Sequence, residues 1–386
     1  MMKKTLIVML IAIISFGSVL TGCEEDSSSV ISMTESISSK SDSSKIDDSS
    51  KADSESKNDG KTSGLYKAPE NSPVALHGKL SVQGSDLVDE HGEKFQLRGL
   101  STHGLTWYPQ FVNEGIYATL KDDWKANCIR LAMYVDESTT GGSDVTYLNN
   151  KQGSLNILSE GIKACLDLGL YVIIDWHVLN PGDPTAYTDE ARAFFGVMSS
   201  LYAGYPNVIY EICNEPNGDE ITWNSHIKPY CDEIVSVIRG NDSEAVIIAG
   251  TATWSQDIHD VSHNLLDEKN IMYALHFYAG THKASLRNRL INTYNSGIPV
   301  FVSEFGVCDA TGNGINDFDQ TMQWLNLLDE LNISYINWNI SDKDESSSIF
   351  LNNSGVTGYG FTEANLTDSG RFIRNWYIDR ALQLGQ

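Results

Sequence analysis

Short apolar runs recur at regular spacing from about residue 73 onward. Each is rich in Val, Ile, Phe and Tyr, and most are apolar at nearly every position rather than at alternate positions. Strands show that pattern when both of their faces are buried, as in a parallel sheet covered by helices. We therefore predict eight strands, over Phe95–Leu100, Cys128–Tyr134, Tyr171–Val178, Val208–Glu215, Ala245–Thr251, Ile271–Tyr278, Pro299–Gly306 and Tyr335–Ile340.

The segments between these runs have the periodicity of amphipathic helices. Phe318, Met322, Leu325 and Leu328, for example, fall on one helical stripe. Alternating strands and helices in this number match a single α/β domain folded as a (β/α)8 TIM barrel. The alternative is a doubly wound open sheet, which usually has a glycine-rich phosphate-binding turn after its first strand. Residues 101–107 follow the first strand here and are poor in glycine, which favours the barrel.

The first 23 residues have the pattern of an export signal. Lys3 and Lys4 precede an apolar run from Leu6 to Leu20, which has the length usual for a signal peptide and is short for a membrane span. The run ends in Leu-Thr-Gly-Cys23, which resembles the lipobox of bacterial lipoproteins, where the cysteine is lipidated. We predict a lipoprotein anchored through Cys23 at the outer face of a bacterial membrane, or secreted if clipped. An ordinary cleaved signal peptide is the alternative and also implies export.

The residues after Cys23 have the composition of a flexible tether. From 24 to 65 the chain is rich in serine, carries interspersed acids and lysines, and has no Phe, Trp or Tyr. Such a segment cannot bury enough apolar surface to offset the entropy of ordering it. The predicted organisation is a signal peptide at 1–22, an acidic, serine-rich tether at 23–72 and one folded domain at 73–386.

The charge balance restricts the ligands of this domain. The chain has 51 acidic and 27 basic residues and a net charge of −24. An acidic surface repels phosphate backbones and anionic lipid headgroups. We therefore expect no nucleic-acid partner, and contact with a membrane only through the anchor at Cys23. A neutral substrate fits better.

Polar and aromatic residues gather at the carboxyl ends of the predicted strands. In a (β/α)8 barrel these ends meet at one mouth, where the active site is found. A barrel without catalytic function would also have polar loops, but not this density of His, Glu and Trp. The residues at or just beyond the strand ends are His103, Tyr134, His177, Asn214, Glu215, Trp254, His276, Tyr278, Glu304 and Trp338.

Glu215 and Glu304 are the strongest catalytic candidates. Each follows a hydrophobic run, and a carboxylate that is partly buried needs a partner or a role. They are either ion-paired core acids or a catalytic pair flanking a glycosidic bond. Glu211 is a rival, but four residues earlier it lies roughly 13 Å lower in the barrel, a depth that suits a structural carboxylate paired to a buried cation. Asp175 is a weaker rival.

These strand-end residues, together with the motifs that surround them, resemble glycoside hydrolase family 5, the cellulase family, and within it the bacterial endo-1,4-β-glucanases. The resemblance extends over residues 73–386. Its most specific part is Asn-Glu-Pro at 214–216 combined with Ser-Glu-Phe-Gly at 303–306 and Trp-Asn-Ile-Ser-Asp-Lys at 338–343. The matching stretches are LRGLSTHGLTWY (97–108), IRLAMY (129–134), VIIDWH (172–177), VIYEICNEPNG (208–218), TATWSQD (251–257), ALHFYAGTH (274–282), FVSEFG (301–306) and INWNISDKDESSS (336–348).

The resemblance implies a retaining mechanism. Glu304 is then the nucleophile and Glu215 the acid and later the base. Arg130, at the end of the second strand, is expected near the nucleophile, where a fixed cation would keep Glu304 ionised. The other implied supports are Asn214 for the sugar 2-hydroxyl, Tyr278 for Glu304, and His276 for the floor of the site.

The remaining candidates are expected to bind substrate, because pyranose rings present apolar C–H faces that stack on indole rings. Trp338 is placed beneath the cleaved sugar, with Trp107 and Trp254 on either side. Lys343 and Glu345 are expected to bind hydroxyls on the non-reducing side, the alternative being solvated loop charges. His103, Tyr134 and His177 complete the substrate-binding set. Histidines at several strand ends also permit a zinc-dependent hydrolase, but the first strand lacks the H-x-H of that class.

Taken together, the sequence predicts a monomeric endo-acting retaining β-1,4-glucanase that needs no cofactor and no metal. Its expected partner is a β-glucan polysaccharide or oligosaccharide. Mixed-linkage glucan, xyloglucan, xylan and mannan are alternative substrates for the same mechanism. A surface glycan-binding protein with an inactive barrel is the alternative from another class, although the presence of both Glu215 and Glu304 argues against it.

Overall fold

The computed structural model of this chain describes residues 66–136 and 145–385. The predicted signal peptide at 1–22, the lipidation site Cys23 and most of the tether at 23–72 lie outside the described residues. Within the two described ranges, no helix is both long and apolar enough to cross a membrane.

Eight parallel strands close into a barrel, which confirms the predicted (β/α)8 fold. A two-stranded antiparallel hairpin, β1 (Ser81–Gln83) and β2 (Asp86–Val88), precedes it. The barrel runs in chain order, and β10 closes the ring by pairing with β3. Its strands are β3 (Arg98–Thr102), β4 (Cys128–Tyr134), β5 (Tyr171–His177), β6 (Val208–Glu211), β7 (Val246–Ala249), β8 (Ile271–Tyr278), β9 (Val300–Gly306) and β10 (Tyr335–Ile340).

Helices connect most successive strands, and side-chain caps fix where several of them begin. Asn113, Asn150 and Thr367 each accept a hydrogen bond from a backbone N–H in the first turn of the helix that follows. Only short turns, Ala252–Ser255 and Asp260–His263, lie between β7 and β8. The helices are Pro73–His77, Glu114–Asp122, Lys151–Leu168, Thr188–Leu201, Lys228–Asn241, Ala284–Asn295, Phe318–Glu330 and Asp368–Leu384.

Two predicted strand boundaries are wrong in ways that matter for the site. The first barrel strand begins at Arg98 rather than Phe95, and the fourth ends at Glu211 rather than Glu215. Both errors have the same physical reason. In each case the apolar run in the sequence is longer than the segment that pairs with its neighbours, before the start of the first strand and after the end of the fourth. Phe95 and Leu97 are buried without being in the strand, since they fill the base of the barrel.

The hairpin of β1 and β2 was not predicted, because strands of three residues carry too little periodicity to be recognised. Leu80 and Leu87 are nevertheless buried, and they join Phe95, Ile173 and Ile248 in one hydrophobic cluster. The hairpin therefore closes the end of the barrel where the strands begin, and it leaves the opposite mouth open.

Packed structure extends into the segment that was predicted to be tether. The hydroxyl of Tyr66 donates to the carbonyl of Leu166 at 2.9 Å, and the Nδ2 of Asn207 donates to the same hydroxyl at 3.1 Å. Ser72 is buried and caps the helix Pro73–His77. Tyr66 escaped the sequence analysis because one aromatic residue after a long serine-rich stretch gives no pattern.

Candidate active site

The mouth of the barrel holds a cleft of about 650 Å³, and the structure brings all of the predicted catalytic and substrate-binding residues to it or directly beneath it. Arg130 and Asn214 lie beneath its floor and are fully buried. The cleft is lined by the predicted residues His103, Trp107, Tyr134, His177, Glu215, Trp254, His276, Tyr278, Glu304, Trp338, Lys343 and Glu345.

Glu215 and Glu304 face each other across this cleft. Glu304 lies on β9, in register with His276 of the neighbouring β8, whereas Glu215 lies in the loop beyond β6. One carboxylate oxygen of each glutamate and one ring nitrogen of His276 lie within 4.8 Å of one another. Carboxyl groups about 5–5.5 Å apart allow direct attack on a sugar, whereas about 6.5–9.5 Å leaves room for an intervening water. The geometry is that of a retaining pair.

Glu304 is held by two donors on opposite sides. The hydroxyl of Tyr278 donates to its Oε1 at 2.7 Å, and Nη1 of Arg130 donates to its Oε2 at 3.2 Å. Burial raises the pKa of the Glu304 carboxyl and the Glu215 carboxylate raises it further, while His276, Arg130 and Tyr278 act in the opposite direction. Arg130 thus favours the ionised form of Glu304, as expected, but burial outweighs its effect.

Arg130 is shared among several acids, which explains its limited effect on Glu304. It is the third residue of β4 rather than its last, so the prediction that it ends the strand is wrong. From there its Nε donates to Glu211 at 2.7 Å and its Nη2 lies 3.0 Å from Asp175. Although burial alone would raise it, Arg130 and His276 lower the pKa of Glu211 to about 2. Glu211 is therefore the structural carboxylate that its depth in the barrel suggested.

A chain of hydrogen bonds orients Asn214 toward the cleft. Asp175 Oδ2 lies 2.6 Å from Nδ1 of His177, and Nε2 of His177 lies 3.2 Å from Nδ2 of Asn214. Burial and the nearby Arg130 hold the pKa of His177 well below its usual value, so its ring is neutral. It donates through Nδ1 and accepts from Asn214 through Nε2. The Asn214 oxygen is bound in turn by Nη2 of Arg130 at 2.6 Å.

His276 is the cationic centre of the site. Its Nδ1 donates to Oε1 of Glu215 at 2.8 Å, and its Nε2 donates at 2.9 Å to Ser303, whose hydroxyl donates to Glu211 at 2.7 Å. Burial alone would lower its pKa, but the hydrogen bonds to Glu211 and Glu215 and the charge of Glu304 raise it to about 9. Both ring nitrogens of His276 are thus engaged by protein oxygens, an arrangement suited to proton transfer.

This charge predicts a pH dependence of stability. A group whose pKa is raised from 6.5 to about 9 on folding stabilises the fold fully below 6.5 and loses that contribution as the pH rises through 9. We expect the free energy of unfolding to fall over that interval in the wild type but not in His276→Gln. Urea unfolding of both proteins from about pH 6 to about pH 10 measures it. Parallel curves for the two proteins would contradict a protonated His276.

Aromatic rings form the floor and the rim of the cleft. Trp338 is 6% exposed, and its ring lies nearly parallel to that of His177, with centroids 5.5 Å apart. Trp107 packs on Tyr134 at 4.6 Å. Trp254 stands at the rim and is 46% exposed. Trp338 therefore forms a buried floor, and Trp254 offers an exposed ring face at the rim.

Glu345 is built into the site, and Lys343 pairs with it although 43% of the Lys343 side chain is exposed. Their side chains pair at 2.6 Å, and the Glu345 side chain is 6% exposed. Asn339 and Ser347 also donate to Glu345, at 3.0 Å and 2.8 Å. His103 lies beside this pair, and burial together with the Lys343 charge lowers its pKa to about 3, so its ring is neutral.

Several residues of the site were missed by the sequence analysis. Ser303 was read only as part of a motif, although it joins His276 to Glu211. His282 accepts a hydrogen bond from the backbone N–H of Tyr278 at 2.8 Å, and its position at the end of the ALHFYAGTH stretch was a usable signal. The other missed residues come from loops beyond the strand ends, where no periodicity points inward. The missed lining residues are Leu179, Asn180, Gln256, His282, Ala310, Thr311 and Gly312.

The chain is similar to known proteins over most of its described length. A family model described as "Cellulase (glycosyl hydrolase family 5)" matches residues 88–344. The chain is 48% identical over 283 residues to "Endoglucanase A" of Evansella cellulosilytica, a match that covers 73% of this chain and 56% of that protein. It is 44% identical over 309 residues to "Endoglucanase 5" of Pectobacterium carotovorum, covering 80% and 59%. The chain thus spans less than two thirds of either relative.

A solved structure shows the same similarity at the level of the fold. The catalytic domain of a Thermobifida fusca endoglucanase, determined in complex with cellotetraose, superimposes with a TM-score of 0.75. That match has 38% sequence identity and covers 80% of this chain and 99% of the other.

Proposed function

Because the chain belongs to glycosyl hydrolase family 5, the cellulase family, we propose that it hydrolyses internal β-1,4 bonds of a glucan with retention of configuration. The observation that carries this proposal is the approach of Glu215 and Glu304 to within 4.8 Å. That separation suits double displacement through a covalent intermediate and is too short for a water to attack between them.

In the first step Glu304 attacks the anomeric carbon while Glu215 protonates the leaving oxygen. The carbon–oxygen bond to the leaving sugar breaks, and an ester bond to Glu304 forms. Since His276 donates to Oε1 of Glu215, the transferable proton belongs on Oε2. Tyr278 and Arg130 hold the two oxygens of Glu304 in place, so little reorganisation is needed at the moment of attack.

In the second step water replaces the enzyme at the same carbon. Glu215 is now a carboxylate and takes a proton from the water, whose oxygen attacks the glycosyl ester. The change of role follows from charge, because esterified Glu304 no longer repels a negative Glu215. His276 remains a donor to Glu215 in both steps and so stabilises its ionised form.

The substrate is inferred from the lining of the cleft. Trp338 offers a flat apolar floor for the cleaved sugar, and Trp107 and Trp254 line the same cleft. The Lys343–Glu345 pair supplies a donor and an acceptor for equatorial hydroxyls on the non-reducing side. A neutral, linear β-glucan fits both the aromatic surface and the acidic charge of the chain, and a related catalytic domain was solved with cellotetraose.

The test is a comparison of polysaccharides with detection of the first product. We expect the protein to depolymerise carboxymethyl-cellulose faster than xylan or mannan, with lichenan reporting on mixed-linkage glucan. Proton NMR of cellotetraose hydrolysis should show the β-anomer of the new reducing end before mutarotation. A first-formed α-anomer would contradict the mechanism, and faster cleavage of xylan or mannan would contradict the substrate.

A further inference from the structure

The turn that carries Trp254 is held in an unusual backbone conformation. Thr253, Trp254 and Ser255 have φ angles of 57°, 53° and 54°, in the left-handed region, although none of them is glycine. Each such residue costs about 1–2 kcal/mol. A run of three persists only where the surrounding contacts over-determine it, and such runs cluster at functional sites.

The contacts of this turn converge on the loop that holds the proton donor. Oγ of Ser255 donates to the backbone carbonyl of Asn214 at 2.7 Å, and the backbone N–H of Trp254 donates to the carbonyl of Pro216 at 3.1 Å. Ser255 is fully buried and its Oγ also accepts from the N–H of Thr251 at 3.2 Å. The single hydroxyl proton of Ser255 is therefore committed to Asn214.

The loop needs this support because β6 ends four residues before Glu215. Beyond the end of β6, the carbonyls of three consecutive residues are bound by groups of the loop and of a neighbouring turn. Those of Asn214 and Pro216 are bound by the Trp254 turn, and that of Glu215 by Nδ2 of Asn217 at 2.8 Å. Two of these three carbonyls are thus bound by one turn, while the N–H groups of Asn214 and Glu215 are bound by the carbonyls of Trp176 and Val178 at 3.3 Å and 3.1 Å.

Gly250 brings the turn and the loop together. A Cβ built on this residue would lie 2.1 Å from the carbonyl oxygen of Cys213 and 3.1 Å from that of Asn214. The end of β7 can approach the catalytic loop this closely only with glycine at that position. The turn that follows then starts within hydrogen-bonding distance of the loop.

We propose that Ser255 is a positioning residue for Glu215, and that the left-handed turn couples a sugar stacked on Trp254 to the placement of the proton donor. This inference rests on the proposed function, since it assigns Trp254 to the leaving-group side of the cut. A leaving-group sugar that stacks on the open face of Trp254 contacts the same turn that binds the carbonyls of Asn214 and Pro216, and so stabilises that turn. Glu215, between those two residues, is then held where it can protonate the departing oxygen.

The test separates proton donation from all other contributions by varying the leaving group. Cellotetraose releases an alkoxide that must be protonated, whereas 2,4-dinitrophenyl β-cellobioside releases a stable phenolate and needs no acid. In Ser255→Ala we expect kcat/KM on cellotetraose to fall by about tenfold or more. On the dinitrophenyl substrate kcat/KM should change by less than about twofold. Added azide should raise kcat on that substrate and form the β-glycosyl azide, because azide attacks the glycosyl ester without a base.

Two further variants complete the test. Ser255→Gly also lacks the hydroxyl but fits the left-handed backbone, so it should show the same selective loss even if the alanine variant folds poorly. Ser199→Ala removes an equally buried hydroxyl that donates to a backbone carbonyl, that of Phe195 at 2.6 Å in the helix Thr188–Leu201, and should behave as wild type on both substrates.

Two results would overturn the inference. They are an equal fall of kcat/KM on both substrates in Ser255→Gly, or no fall on either. A wild-type protein that cleaves neither substrate would instead refute the proposed function itself.

Discussion

Replacement of Glu304 by alanine should lower kcat on cellotetraose by at least about 10⁴-fold, because it removes the carboxylate proposed to form the covalent intermediate. The substrate platform of Trp338 and Trp254 is untouched by this change. We therefore expect cellotetraose to bind the variant with an affinity close to that of the wild type, measured by titration calorimetry.

Chemical rescue distinguishes a lost nucleophile from a damaged site. In Glu304→Ala, azide can occupy the space of the missing carboxylate and attack the dinitrophenyl cellobioside directly. A single displacement inverts the configuration, so the product should be the α-glycosyl azide, the opposite anomer from that expected with Ser255→Ala. Residual hydrolysis of cellotetraose above about 1% of the wild-type rate would contradict the role of Glu304.

Replacement of Arg130 by methionine should have the largest effect on stability. Arg130 is fully buried and pairs with Asp175, Glu211 and Glu304. Removing one partner of a buried ionic cluster costs about 3–5 kcal/mol, because the remaining charges are left uncompensated in the interior. We expect a loss of that size in the free energy of unfolding at neutral pH, measured by urea denaturation.

The loss should shrink in acid. Arg130 and His276 lower the pKa of Glu211 from 4.5 to about 2, so this contribution is fully present above about 4.5 and disappears as the pH falls through 2. Arg374→Met is a matched control. Its guanidinium pairs with Asp123 and Glu363 near the surface, where such pairs contribute at most about 1 kcal/mol. Equal losses in the two variants would contradict the role assigned to Arg130.

The fold and the principal site residues could be predicted because their signals are local in the sequence. Glu304 lies on a strand that is almost as long as the apolar run that predicted it. Its position in that run therefore placed it correctly at the mouth of the barrel. Trp338 and His276 were placed in the same way. Resemblance to a family added their roles, which hydrophobic patterning does not provide.

The remainder depended on contacts that a linear pattern does not contain. The apolar run before Glu215 continues beyond Glu211, so the sequence did not show that Glu215 lies in a loop. The left-handed turn at 253–255 carries no glycine and had no recognisable signal. Arg130 was associated with the nucleophile alone, whereas folding divides its charge among three carboxylates from three different strands.

The anchoring of Tyr66 has a practical consequence for immobilising this protein. Tyr66 binds Leu166 and Asn207, which precede β5 and β6, so the chain joins the barrel at its base and the cleft opens at the other end. A bead or a fusion partner joined directly at Tyr66 would therefore be attached at the end of the barrel opposite the cleft. Truncated versions intended for expression should keep Tyr66, since removing it uncovers the ring of Tyr205 on which it packs.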